Sequence, residues 1–162
     1  MAWVTAFLEI NPIEQFKSWL IEAEAAGLYE PNAFVLGTVD EMLHPRTRTV
    51  LLKGVDPRGF FFATNYLSRK GEALSVNPNV SATFGWYSMY RQVLVQGIAE
   101  KVDPIDSDQY HFSRPHDSQV AAWSSRQSQP IETRGALDKQ FDEALEKFDG
   151  VEVPRPDYWG GY

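Results

Sequence analysis

The chain has 162 residues, 43% of them hydrophobic, and this size and composition predict one globular domain over residues 1–162. Its formal net charge of −7 argues against general binding to nucleic acid or to an anionic membrane surface, so any anion site must be a local positive pocket. The lack of cysteine, the scattered positions of three histidines, and the lack of any stretch near the roughly 20 apolar residues of a membrane span together predict a cytoplasmic protein without a metal site.

The first half of the chain predicts one helix followed by three short strands. Asn11 is typical of a helix start and Gly27 of a helix end. Apolar runs then predict strands over residues 33–39, 46–53 and 60–63. The connections between them are short, so we expect these three strands to form a meander.

The second half predicts another hairpin and several helices. Helices are expected over residues 103–112, 118–125 and 137–148, and residues 71–76 predict a short helix or a turn. Residues 80–87 and 92–102 predict the two arms of a hairpin, because apolar residues alternate in the second arm. The Pro- and Gly-rich segment 151–162 carries no predicted element. Strands joined by such short connections indicate an α+β fold with an antiparallel β-barrel core.

Hydroxyl groups and cations follow the predicted strand at residues 60–63. Thr64 and Ser68 supply hydroxyls, and Arg69 and Lys70 supply two adjacent positive charges. Arginine offers a planar fork of donors and lysine a compact charge, a combination that suits a phosphate. A solvated charge pair after a core strand explains this stretch, taken alone, equally well.

Positive charges also open and close the predicted strand 46–53. By alternation, Arg48 and Lys53 point to opposite faces of the sheet, so we expect them to serve different tasks. The alternative is an edge strand that its charges protect from pairing.

Two later segments bring hydrogen-bonding groups together. Tyr110, Arg114 and Ser118 surround a proline at an expected helix end, which predicts an anion clamp or, alternatively, a capped helix junction. Gln92 can hydrogen-bond an amide-bearing ring, and residues 123–128 are rich in hydroxyls. Together the segments fit one or two phosphorylated aromatic ligands. A Ser-His-Asp hydrolase is a poorer interpretation, and the sequence has no Gly-rich phosphate loop or dinucleotide fingerprint.

Six stretches, in this order, resemble the pyridoxamine 5'-phosphate oxidase family, FMN-dependent enzymes that make pyridoxal 5'-phosphate. They are WLIEAEAAGLYEPNA, RTRTVLLKG, FFFATNYLSRKGE, NPNVSATFGWYSMYRQVLVQG, SDQYHFSRPHDSQVAAWSSRQS and VPRPDYWGGY. The resemblance implies an FMN-binding split β-barrel that forms a homodimer with FMN at the subunit interface. It also implies oxidation of pyridoxamine or pyridoxine 5'-phosphate, with O2 reduced to H2O2.

The same resemblance implies the residues of two binding sites. It places the flavin phosphate with Arg48 and Lys70. The implied cofactor contacts are Arg48, Thr49, Val50, Leu51, Leu52, Lys53, Ala63, Thr64, Arg69, Lys70, Gln92, Gln127 and Ser128, some of them from the second subunit. The implied contacts of the substrate phosphate are Lys53, Tyr110, Arg114 and Ser118. No side chain is identified as a catalytic acid or base.

The chain departs from the family pattern in four respects. The family's N-terminal arm and the strand that follows its WGGY motif have no counterpart in these residues. His116 stands where an arginine is usual, and Ala63 where a tyrosine is common. We therefore expect FMN binding to be retained better than oxidase turnover. The alternatives are an FMN-binding or flavin-reductase-like paralogue without B6 oxidase activity, and a non-enzymatic dimer.

Overall fold

The computed structural model describes residues 8–162, and the chain divides into two compact units. The first unit comprises the chain up to Gly37, Thr47–Phe62 and Val80–Gly97, and the second Thr38–Arg46, Ala63–Asn79 and Ile98–Tyr162. Residues 1–7 of the predicted domain lie outside the described part. The expectation of a single domain over residues 1–162 stays a prediction.

Five strands follow the first helix, and three consecutive helices precede the last strand. The helices are α1 Pro12–Ala25, α2 Arg69–Val76, α3 Pro104–Ser113, α4 His116–Ser124 and α5 Arg134–Lys147. The strands are β1 Ala33–Val39, β2 Pro45–Leu51, β3 Gly54–Asp56, β4 Gly59–Phe61, β5 Ala63–Asn65, β6 Asn79–Trp86, β7 Arg91–Ile98 and β8 Trp159–Gly161. One four-stranded sheet has the order β2-β1-β6-β7, while β3 pairs with β4 and β5 with β8.

Helix α1 begins and ends where the sequence predicts. The Oδ1 atom of Asn11 accepts a hydrogen bond from the Ile13 N–H at 2.9 Å, which satisfies a donor of the first turn. Gly27 ends the helix with φ +70°, a left-handed conformation that glycine adopts without strain. The next residue, Leu28, then donates its N–H to the carbonyl of Ala23 at 3.2 Å, which closes the C-terminal turn.

Aromatic side chains form the core of the first unit. Phe16 of α1 is 2% exposed, and its ring meets the rings of Phe60 and Phe84 edge-on at 4.8 Å each. Phe34 of β1 packs against Phe84 at 5.0 Å. Edge-on aromatic contacts of this kind stabilise a core beyond the area that they bury. The buried faces of α1 and of the sheet therefore share one aromatic cluster.

Helices α4 and α5 carry a separate core in the second unit. Val120, Phe148 and Val153 are buried together, with Phe141 and Leu145 packed against them. Phe141, Leu145 and Phe148 belong to the apolar stripe that predicts the last helix, so this prediction is confirmed.

The prediction of one strand at Phe60–Ala63, and of a meander that includes it, is wrong. Strand β4 ends at Phe61 and pairs with β3, whereas β5 begins at Ala63 and pairs with β8. Phe62 lies between the two strands, 5% exposed, with its ring 5.9 Å from that of Phe34. A short apolar run has no periodicity that could show a change of partner strand.

Strand β8 lies in the segment where no element was expected. Glycine is depleted in strands, so the sequence Trp159-Gly160-Gly161 does not predict one. A Cβ atom at Gly160 would lie 2.2 Å from the hydroxyl of Tyr66 and 2.7 Å from that of Ser107. The glycine is therefore required by the close approach of neighbouring side chains, a tertiary effect that local propensity does not reveal.

Two general features of residues 8–162 bear on function. None of the described helices has the length and apolar character needed to cross a membrane. Within the same residues, no group of three or more His, Asp or Glu side chains could hold a metal ion. The cytoplasmic location stays a prediction.

Candidate functional site

The start of α2 meets the loop that follows α4. Lys70 is 9% exposed, and its Nζ donates to Oε1 of Gln127 at 2.7 Å and to Oγ of Ser68 at 3.1 Å. The hydroxyl of Thr64 donates to the same Gln127 oxygen at 3.3 Å. Lys70 and Gln127 are 57 positions apart in the chain, so the fold brings these predicted cofactor residues together.

A tight turn positions Lys70. Ser68 caps α2: its Oγ accepts from the Gly71 N–H at 3.4 Å and donates to the carbonyl of Asn65 at 2.7 Å. A Cβ atom at Gly71 would lie 2.1 Å from the carbonyl oxygen of Tyr66. Only glycine therefore lets the first turn of α2 approach the end of β5 this closely.

The loop after α4 closes over the same turn. The backbone N–H of Arg69 donates to Oγ of Ser128 at 3.3 Å. Ser128 has φ +70°, a left-handed conformation that is uncommon for a residue other than glycine. Both are predicted cofactor residues, so the structure places all of Thr64, Arg69, Lys70, Gln127 and Ser128 in one cluster.

This cluster has the properties of a phosphate site. The N-terminus of a helix carries partial positive charge, and the cations Arg69 and Lys70 in the first turn of α2 add to it. Gln127 Oε1 accepts hydrogen bonds from both Lys70 and Thr64, as a phosphate oxygen would. The residues present therefore fit the phosphate of a flavin mononucleotide.

A cavity of about 890 Å³ adjoins this cluster in the second unit. It is lined by Asn65, Leu67, Trp123, Ser125, Arg126, Gln127, Ser128, Gln129, Pro130, Ile131, Leu137, Gln140 and Tyr158. The volume lies within the range of small-molecule sites. Burial raises the pKa of Tyr158, against the charge of Arg126, so its hydroxyl stays neutral near neutral pH.

A second cluster forms around Trp159. The guanidinium carbon of Arg114 lies 4.5 Å from the centroid of the Trp159 ring, and the Tyr110 ring stacks on Trp159 at 6.0 Å and 11°. The Nη1 atom of Arg114 is buried and has no hydrogen-bond partner among the described residues. A buried donor without a partner is costly, so this atom is available to an anionic ligand.

The two polar groups of this second cluster influence one another. Burial lowers the pKa of Arg114, and the neighbouring Tyr110 opposes this shift. Burial raises the pKa of Tyr110, and the charge of Arg114 opposes this shift in turn. Tyr110 is therefore a neutral hydroxyl near neutral pH, able to donate a hydrogen bond to a phosphate.

Helix α4 begins at His116, two residues after Arg114. Its N-cap position is occupied by Pro115, and no side chain caps the helix by a hydrogen bond. Ser118 lies in the first turn, half-buried, as the predicted clamp at a helix end requires. His116, which replaces a usual arginine, has its Nε2 atom 3.3 Å from the carbonyl of Phe148.

The remaining predicted residues belong to the first unit, apart from Ala63, which opens β5 opposite Gly161. Arg48 is half-buried and donates from Nη1 to the carbonyl of Leu36 at 3.1 Å. Val50 and Leu52 are buried, whereas Thr49 and Lys53 are exposed. That Arg48 and Lys53 point to opposite faces of the sheet stays a prediction, because β2 ends at Leu51, before Lys53. Gln92 is exposed near the start of β7.

Sequence reasoning missed Trp159. The residue lies in a segment without a predicted element, and the resemblance gave it no role. Its contacts with Arg114 and Tyr110 join residues that are far apart in the chain. The only indication in the sequence was that the motif VPRPDYWGGY contributes to the family resemblance. The motif does not show which residues Trp159 contacts.

Comparison with known proteins identifies relatives of this chain. A family model described as pyridoxamine 5'-phosphate oxidase matches residues 20–148. The pyridoxine/pyridoxamine 5'-phosphate oxidase of Rubrobacter xylanophilus is 49% identical over 94% of this chain and 70% of that protein. The corresponding oxidase of Teredinibacter turnerae is also 49% identical, over 94% of this chain and 72% of that protein.

Solved structures show the same fold. PhzG from Burkholderia lata, in complex with tetrahydrophenazine-1-carboxylic acid, has a TM-score of 0.90 and 28% identity over 100% of this chain and 80% of that one. A pyridoxamine 5'-phosphate oxidase-related, FMN-binding protein from Nostoc punctiforme has a TM-score of 0.69 and 12% identity over 94% of this chain and 79% of that one. The predicted α+β class of the FMN-binding split β-barrel is confirmed.

Proposed function

The chain belongs to the pyridoxamine 5'-phosphate oxidase family, and from this premise we propose that it oxidises pyridoxamine or pyridoxine 5'-phosphate to pyridoxal 5'-phosphate. It is a flavoprotein of the oxidoreductase class with FMN as its cofactor. The chemistry that FMN would supply when bound is the two-electron oxidation of the substrate's C4' carbon, with O2 as the final acceptor and H2O2 as its product. The observation that carries the proposal is the presence of two separate clusters, around Lys70 and around Arg114, which we assign to the flavin phosphate and to the substrate phosphate.

The cluster around Lys70 would hold the flavin phosphate. Lys70, Arg69 and Thr64 supply charge and donors there, and the capped start of α2 adds its partial charge. The further cofactor contacts proposed for this chain are Arg48, Thr49, Val50, Leu51, Leu52, Lys53, Ala63, Gln92, Gln127 and Ser128.

The cluster around Arg114 would hold the substrate phosphate. Arg114 offers a buried donor, Tyr110 a neutral hydroxyl, and Ser118 a second hydroxyl in the first turn of α4. Lys53, exposed after β2, is the fourth proposed contact. These residues neutralise and orient the substrate, which is the part of catalysis that the protein itself must supply.

We further propose that the protein acts as a homodimer that pairs through one face of its four-stranded sheet. Phe34 and Leu36 are buried in the core, so their neighbours along β1 point to the opposite face. That opposite face comprises Thr47, Thr49, Val35, Gly37, Ser81, Thr83, Gln92, Leu94 and Gln96. These side chains are all uncharged in a protein of net charge −7, which favours contact with a second copy. Gln92 lies on this face, consistent with a contact to the partner's cofactor.

The oxidase assay tests the proposal. Protein loaded with FMN is mixed with pyridoxamine 5'-phosphate in the presence of O2, and H2O2 release is measured. H2O2 formation with turnover supports the proposed activity. Bound flavin without H2O2 would instead favour the FMN-binding or reductase-like paralogue, and failure to bind FMN would contradict the cofactor site. Sedimentation equilibrium of the same sample should give the mass of a dimer.

A further inference from the structure

We propose that Trp159 is a positioning residue, whose indole face fixes Arg114 and Tyr110 in the orientation that receives the substrate phosphate. The inference rests on the proposed function, because it assigns Arg114 and Tyr110 to that phosphate. It adds a residue that need not touch the ligand and would act through the two that do.

The stacking geometry is the first support for this role. Arg114 covers the Trp159 ring at 4.5 Å, and the Tyr110 ring is nearly parallel to it, at 11°. A guanidinium that stacks on a ring uses its flat face, while its N–H donors point outward in the plane. Stacking therefore restricts Arg114 without occupying the donors that a phosphate needs, and Nη1 of Arg114 indeed has no partner among the described residues.

The second support is that Trp159 is itself held firmly. It is 9% exposed and stands opposite Asn65 in the β5–β8 ladder. Its carbonyl accepts a hydrogen bond from Nη1 of Arg155 at 2.6 Å, and its N–H donates to the carbonyl of Pro156 at 2.9 Å. The imidazole ring of His111 packs against the indole at an interplanar angle of 69°, with the two ring centroids 5.6 Å apart. Backbone and side chain are thus both fixed, as a platform for two other side chains requires.

The third support is the position of Trp159 in the ladder. Gly160, the next residue, stands opposite Thr64, which belongs to the proposed cofactor cluster. Successive residues of a strand are about 3.3 Å apart along its axis. The β5–β8 pair therefore carries both Thr64 of the cofactor cluster and Trp159, on whose ring Arg114 lies. A shift of β8 would displace Arg114 relative to Thr64.

Ligand binding to the FMN-loaded protein tests the role of Trp159. Calorimetry compares pyridoxal 5'-phosphate with pyridoxal, which lacks the phosphate, in the wild type and in Trp159→Leu. We expect Trp159→Leu to weaken binding of pyridoxal 5'-phosphate roughly tenfold, the effect of losing one partly buried cation–π contact, and to leave pyridoxal binding unchanged. Trp159→Phe keeps a smaller ring face and should lose only about two- to threefold, again for the phosphate ligand alone.

Trp19→Leu is the matched control. It removes another indole that an arginine covers, since Arg91 lies 5.0 Å from the ring of Trp19 in α1. The affinity ratio of the two ligands should be unchanged in this variant.

Each outcome of the titrations decides a specific point. Equal losses for both ligands in Trp159→Leu, or no loss at all, would overturn the positioning role and leave the proposed function standing. Should Trp159→Leu not fold, an unchanged ratio in Trp159→Phe would overturn the role as well. A wild type that does not bind pyridoxal 5'-phosphate would refute the proposed substrate and, with it, the role of Trp159.

Discussion

The two anion-directed clusters of the second unit are built by different means. Around Lys70, polar side chains hydrogen-bond one another, and a serine caps the adjacent helix. Around Arg114, the cation lies on an aromatic ring with one donor unpartnered, and the adjacent helix has no side-chain cap. The first cluster depends on a tight backbone turn and the second on stacked rings, so different substitutions should disable them.

The largest effect is expected from Gly71→Ala. The new Cβ would lie 2.1 Å from the carbonyl oxygen of Tyr66, and relief of such an overlap costs about 3 kcal/mol of folding free energy. Thermal unfolding should show a much lower Tm, and FMN affinity should fall with it. Gly135→Ala is the control, because the nearest atom to a Cβ there is 3.9 Å away. A wild-type Tm for Gly71→Ala would contradict the close approach described for this turn.

Lys70→Ala tests the first cluster directly. Removal of one charge-assisted contact should weaken FMN binding by about 1.5–3 kcal/mol. Arg48→Ala should have a similar effect, since Arg48 is the other proposed contact of the flavin phosphate. Flavin fluorescence titrations measure both, with Lys17→Ala in α1, outside both clusters, as control. Unchanged FMN affinity in both Lys70→Ala and Arg48→Ala would rule out the phosphate assignment.

Arg114→Ala should separate the two clusters. The variant loses the donor proposed for the substrate phosphate, a contact worth about 1.5–3 kcal/mol of binding free energy. The KM for pyridoxamine 5'-phosphate should therefore rise. FMN should stay bound, because Arg114 has no described contact with the cluster around Lys70. Steady-state kinetics and the flavin absorbance of the purified variant give both quantities. A colourless variant would show that the two clusters are not independent.

The smallest expected effect is a dependence of folding stability on pH, which arises from His111 beside the second cluster. His111 is fully buried against Trp159, and burial lowers its pKa, while Arg114 and Arg155 lower it further. A hydrogen bond to the Val153 carbonyl and the charge of Asp108 act in the opposite direction. The folded protein therefore keeps the ring neutral where the unfolded chain, with a pKa near 6.5, takes up a proton.

Stability from His111 should thus be complete above about pH 6.5 and decrease as the pH falls below it. When the pH is lowered from about 7.5 to 5.5, the Tm of His111→Gln, which cannot titrate at this position, should decrease less than that of the wild type. Differential scanning calorimetry at the two values compares them. Equal losses in both proteins would show that His111 is not the group responsible.

The sequence alone predicts those features that depend on neighbouring residues. Asn11 and Gly27 mark the ends of α1 because capping is local, and the cation and hydroxyl pattern of Thr64 to Lys70 is contiguous. The contact of Lys70 with Gln127 spans 57 positions, so only the family resemblance indicated that both residues serve one ligand. Strand β8 escaped prediction because Gly160 is explained by Tyr66 and Ser107, which are distant in the sequence.

Gly160 has a practical consequence for redesign. The space that any side chain would need there is already filled by the Tyr66 hydroxyl, which also donates to the carbonyl of Gly161, and by Ser107. Mutant libraries that aim at new substrates should therefore keep position 160 constant.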